Sequence, residues 1–71
     1  MEIGQKIIIK TLSLEYSDYS NIKGTIVSLE NENSYLSVSI PVKSFTEEDI
    51  RELKHEGGEV TFHVKKENLL A

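Results

Sequence analysis

The stretch IKGTIVSLENENSYLSVSIPV, Ile22 to Val42, constrains the fold more than any other part of the chain. Its second half alternates strictly. Leu36, Val38, Ile40 and Val42 fall on one face, and Tyr35, Ser37, Ser39 and Pro41 on the other. A period of two sends successive side chains to opposite sides, so the segment is a half-buried β-strand. The first half, Ile22–Leu29, is a β-branched run with Gly24 inside it. Glycine weakens a strand unless a bend or a close backbone approach requires it. Between the halves, Glu30-Asn31-Glu32-Asn33 reads as a hairpin loop, because asparagine tolerates the left-handed conformation such loops use. Pro41 has no N–H to give a ladder, so that end of the strand lies at an edge or leaves the sheet.

A two-stranded hairpin is marginal in water, so the remaining segments must cover its apolar face. Residues 3–16 form the expected first strand. Ile7 and Ile9 share one parity, whereas Leu12, Leu14 and Tyr16 share the other. The pattern changes phase near Lys10–Thr11, which predicts a bulge or a sharp bend there. Residues 17–21, SDYSN, read as a loop carrying Tyr19. A helix is predicted over 46–56. Thr46 is its N-cap, Asp49 the capping-box partner, and Phe45 with Ile50 the hydrophobic staple. Glu47, Glu48 and Asp49 complement the positive end of the dipole, with Lys54 and His55 in the last turn and Gly57-Gly58 closing it.

Residues 59–66 alternate again, with Val60, Phe62 and Val64 inward and Thr61, His63 and Lys65 outward. The tail KENLLA reads as a short strand, or as a turn laying Leu69 and Leu70 over the core. Strands over about 3–16, 22–30, 34–42 and 59–66 with one helix make a single mainly-β domain, 1–71. An SH3-like barrel of four or five strands with a short helix before the last long strand fits this order. A truncated OB-like barrel is the alternative. With no cysteine among 71 residues, neither a disulfide nor a thiolate metal cage can staple the fold. A core of this size supplies only about 3–5 kcal/mol of net stability.

The segments GQKIIIK, YSNIKGTIVSLENENSYLSVSIPV and GGEVTFHV resemble the N-terminal barrel that precedes PilZ domains in bacterial flagellar-brake proteins. The resemblance implies a small barrel in a bacterial regulatory protein. It does not imply cyclic di-GMP binding, because that family's R-x-x-x-R signature is missing and Arg51 is the single arginine. The unit KGTIVS, Lys23 to Ser28, is similar to the KOW element of ribosome- and transcription-associated SH3-like domains, whose basic loops this chain lacks.

Candidate chemistry is sparse. The serines lie on strand faces and in loops, with no G-x-S-x-G context and no base positioned for them. His55 and His63 are the two imidazoles, one near a helix end and one on an outward strand face. Glu48, Glu52 and Glu56 are spaced as one helix face, but Arg51 and Lys54 interleave them and a solvated face explains the row. No catalytic residue, metal site or cofactor is therefore assigned. The longest apolar run, Ile7–Ile9, is far short of a span, and no signal segment is seen, so a cytoplasmic location is expected and no membrane partner. A net charge of −4 disfavours nucleic acid. The candidate binding residues are the tyrosines and asparagines of the hairpin and loop: Tyr19, Asn31, Asn33 and Tyr35. Exposed aromatics are common anchors of protein interfaces. The expectation is a non-enzymatic module, monomer or dimer, that binds a protein partner. The alternative is a KOW- or OB-type nucleic-acid binder using Lys23, Lys43, Lys65 and Lys66.

Overall fold

The alternating segments become strands, and the apolar side of each alternation becomes the core. The computed structural model describes residues 1–30 and 34–70. Strands β1 (Lys6–Ser13), β2 (Asp18–Leu29), β3 (Tyr35–Pro41) and β4 (Glu59–Lys65) form one antiparallel sheet in the order β1-β2-β3-β4. Helix α1 (Glu47–Glu52) and a 3-10 turn at Val42–Ser44 connect β3 to β4, and a second 3-10 turn, Lys66–Asn68, follows β4. Ile7, Ile9, Ile22, Ile26, Leu36, Val38, Ile40, Phe45, Val60, Val64 and Leu69 are buried together. Removing each such side chain from water contributes roughly 1.5–3 kcal/mol. No helix among the described residues is long and apolar enough to cross a membrane.

The alternation in β3 and β4 translates directly. Leu36, Val38 and Ile40 are fully buried, and Val60 and Val64 nearly so. Gly24 is required by a close approach: a Cβ there would lie 2.3 Å from Val38 Cγ1. Pro41 closes β3 as the chain leaves the sheet into its 3-10 turn.

The change of phase in the first strand has a different cause from the bulge expected at Lys10–Thr11. The β1–β2 register is unbroken from Lys6↔Thr25 to Ser13↔Asp18. Opposite the phase change stands Asn21, whose φ is +54°. Both strands turn over together at that left-handed residue, which asparagine tolerates at little cost. Ile9 and Ile22 lie in the core on one side of it, and Leu12 and Tyr19 half-buried on the other. Residues 17–21, expected as a loop, therefore belong largely to β2. The bulge lies in β2 instead: Ile26 faces Val38 but Ser28 faces Ser37, leaving Val27 as the extra residue, 43% exposed.

Two further expectations change. Helix α1 ends at Glu52, so Lys54, His55 and Glu56 lie beyond it and the carboxylate row on one helix face does not exist. Gly57 and Gly58, with φ of +57° and +76°, form instead the tight turn that pairs Glu56 with Glu59. Positive φ serves a helix terminus and a hairpin turn equally well, and here the hairpin uses it. Tyr16, grouped with the core by parity, is 57% exposed because β1 stops at Ser13.

The tail folds back on β1. Leu69 is buried and bridges Ile9, while Leu70 donates its N–H to Ile8 O at 2.9 Å and is 54% exposed, so only one of the two leucines covers the core. Next to it, the Asn68 side chain does the work of a strand. Its Nδ2 donates to Thr11 O at 2.7 Å, and its Oδ1 accepts from Thr11 N–H at 3.4 Å and Thr11 Oγ1 at 3.2 Å.

Candidate functional site

The two tyrosines singled out together sit in unlike surroundings. Tyr19, on β2, is half-buried with its ring edge-on to Phe45, centroids 5.2 Å apart. Its hydroxyl donates to Asp49 Oδ2 at 2.7 Å and accepts the Thr46 N–H at 3.0 Å. Thr46 caps α1 as expected, its Oγ1 accepting from Asp49 N–H. The reciprocal half of the capping box is supplied by Tyr19, because the Asp49 carboxylate turns inward. Asp49 is 1% exposed and also accepts from Tyr16 N–H at 3.0 Å and from Thr46 Oγ1 at 3.3 Å.

A buried carboxylate must be hydrogen-bonded to be tolerated, and this one is. Burial raises its pKa. Hydrogen bonds from Tyr19, the Tyr16 N–H, Thr46 and Ser17 outweigh that and hold it below the ordinary aspartate value. The Glu52 carboxylate, with smaller contributions from desolvation and Glu15, holds the Tyr16 phenol above its usual value. This cluster joins the start of β2 to the helix cap. It engages the tyrosine hydroxyl both as a donor and as an acceptor.

Tyr35, at the start of β3, faces outward. Register places Lys65 directly opposite it and His63 on the diagonal. The Tyr35 and His63 rings lie 4.8 Å apart at 36°, and Lys65 Nζ stands 5.8 Å from the Tyr35 centroid, within cation–π range. His63 Nε2 is 2.9 Å from Glu30 Oε1. Tyr35, His63 and Lys65 border an open groove of about 690 Å³, whose other wall is Thr11, Leu12 and Ser13 of β1 and whose end is Glu67 and Asn68. The lining mixes an aromatic face, a cation and hydroxyls. Among its described lining residues no nucleophile is paired with a base.

A second groove, of about 630 Å³, lies on the outer side of β1 and β2 between Lys6, Ile8, Lys23, Thr25, Pro41 and Glu59. Lys6 Nζ donates to Thr25 Oγ1 there. Of the candidate nucleic-acid contacts, Lys23 lies by this second groove, Lys43 in the 3-10 turn after β3, and Lys65 and Lys66 at the first groove and just past it. The fold thus divides the four lysines between separate places. Asn31 and Asn33 lie outside the described residues. Among the described residues no cluster of three metal-ligating side chains occurs.

His63 and the β1 wall did not stand out in the sequence. His63 could have: once strands 34–42 and 59–66 are paired, their polar faces must meet, and Tyr35 has to find Lys65 or His63. Asn68 gave no signal, since an asparagine that mimics a strand looks like any turn asparagine. Compared with known proteins, the chain matches no family model, no curated protein and no solved structure.

Proposed function

We propose that this domain is a non-enzymatic interaction module that binds a protein partner in the groove between β1 and β4. What carries the reading is the half-exposed Tyr35 ring, stacked on His63 beside Lys65 in an open groove of about 690 Å³. Aromatic side chains held rigid by a neighbour bind at small entropic cost and make the usual hot spots. An SH3-like arrangement is our reading of the architecture. Its support is the strictly sequential strand order and the 3-10 turn that returns Leu69 to β1, where an OB-fold follows a Greek-key order. The likeness to barrels that precede PilZ domains adds a bacterial regulatory setting to this proposal.

The test is affinity capture from the source cell with wild-type and Tyr35→Ala domains, followed by titration of the captured protein. Loss of affinity of about tenfold or more is expected for Tyr35→Ala and little change for Lys23→Ala. Equal affinity in both variants removes the groove as the site.

A second reading, a nucleic-acid-binding barrel, draws on the same stacked Tyr35 and His63 with Lys65 and Lys66 at hand. Aromatic platforms with a basic margin stack single-stranded bases. Such binding weakens steeply with salt. Absence of binding to single-stranded DNA or RNA at about 50 mM salt excludes it, since electrostatic contacts are strongest at low salt.

A further inference from the structure

We infer that β4 takes an extended acidic peptide segment as an added strand along its outer edge, at His63 and Lys65. The inference rests on the protein-binding reading above and specifies how the partner is held.

Two hydrogen bonds fix the direction of the β4 backbone groups. At one end of the β3–β4 ladder Lys66 N–H donates to Ser34 O at 2.7 Å, and at the other Val42 N–H donates to Gly58 O at 2.9 Å. The register between them pairs Leu36 with Val64, Val38 with Phe62 and Ile40 with Val60. In an antiparallel ladder hydrogen-bonded and non-bonded pairs alternate, so even-numbered β4 positions bond β3 and odd-numbered ones point away from it. Glu59 agrees: on the outer side its N–H donates to Glu56 O at 3.0 Å and its carbonyl accepts from Glu56 N–H at 3.1 Å. Further along, His63 and Lys65 have no backbone partner on that side among the described residues.

The other edge of the sheet is covered. On β1, Leu70 occupies Ile8 O and the Asn68 amide occupies Thr11. Proteins generally cover or pair such rows of N–H and C=O groups, and a row left open is what strand addition uses. The groove beside His63 and Lys65 supplies the space for that strand.

Charge selects the occupant. Lys65 and Lys66 are the one adjacent lysine pair in the chain, and Lys10 joins them through its Nζ donating to Glu67 O at 3.3 Å. Three cations stand against two carboxylates, Glu67 and the Glu30 that meets His63, a small basic excess on a protein whose net charge is −4. Complementary charge speeds encounter and sets register, so an acidic segment is favoured over a basic one.

Residue-resolved amide hydrogen exchange on the whole chain tests this. The probes are a peptide of about seven residues with glutamate alternating with valine and threonine, its lysine counterpart, and oligothymidylate. The glutamate peptide is expected to slow exchange of the His63 and Lys65 amides by about tenfold or more, with no such effect from the lysine peptide. Val64, already bonded to β3, serves as the internal reference. Three results overturn the inference: glutamate-peptide binding that leaves both amides unchanged, equal protection by the lysine peptide, or protection by oligothymidylate alone. No binding of either peptide overturns it as well. If Tyr35→Ala weakens the captured partner while that partner leaves these amides unprotected, the module reading survives and strand addition does not.

Discussion

Tyr19 and Tyr35 look alike on paper: each stands among serines and asparagines, one in SDYSN and one in NENSYLS. In the folded domain one is tied into a buried hydrogen-bond cluster and the other borders an open groove. Tyr19 spans β2 and the α1 cap, its hydroxyl occupied by Asp49 and Thr46. The Tyr35 ring meets His63 and Lys65, its neighbours on the outer face of β4. The difference does not come from the residues beside each tyrosine. It comes from what the fold brings opposite: a buried carboxylate in one case, a groove in the other. An aromatic in a polar stretch is therefore a poor guide to function until its cross-strand partner is known.

The severest perturbation is one that both tyrosines depend on. Val38→Asp puts an unpaired charge in the middle of the core and should cost more than about 4 kcal/mol, the whole stability of a domain this small. No cooperative thermal transition is expected; a melt near that of wild type contradicts the strand parity. Next comes Asp49→Ala, which strips Tyr19, the Tyr16 N–H, Thr46 and Ser17 of their acceptor and is expected to lower the melting temperature more than any change at Tyr35. Tyr19→Phe removes both the hydrogen bond to the Asp49 carboxylate and the one accepted from the Thr46 N–H, and should cost about 2–3 kcal/mol, read from chemical denaturation, with partner affinity unchanged. Loss of affinity at constant stability in that variant reverses the roles assigned to the two tyrosines. Tyr35→Ala should do the opposite, costing about 0.5–1 kcal/mol for the lost cross-strand contacts while affinity falls.

The pH profile separates the two regions in a different way. Asp49 binds its proton less readily folded than unfolded, so its contribution is complete above the ordinary aspartate value of about 3.9 and is lost as pH falls through that value toward the lower folded one. Melting temperature is expected to drop across this acid window in the wild type, and less steeply in Asp49→Ala. Parallel profiles for the two proteins speak against a depressed Asp49 pKa.

How much of this was readable in the chain follows from how far each cause reaches. Leu36, Val38 and Ile40 were legible because alternation is local, and Thr46 because a cap is read within one turn. The Asp49–Tyr19 contact spans thirty positions, and nothing near either residue announces it. Gly57-Gly58 misled because one backbone conformation serves two kinds of turn. The phase change at Lys10 was visible, but its cause, Asn21, sits on the partner strand. The groove was the least legible of all, since it exists only where β1 and β4, at opposite ends of the strand order, approach each other.

The bridge between Ile9 and Leu69 carries a consequence for the time course of assembly. Every strand pairs with its neighbour in sequence, so the sheet can zip up through successive short closures. That bridge, with the Leu70–Ile8 and Asn68–Thr11 bonds beside it, joins positions near the two ends of the chain, and its loop entropy is the last to be overcome. Leu69→Ala should accordingly leave the refolding rate nearly unchanged and speed unfolding, the mark of a contact made after the rate-limiting step. The tail would then behave as a latch on an already formed sheet, and its release as the first event when the domain opens.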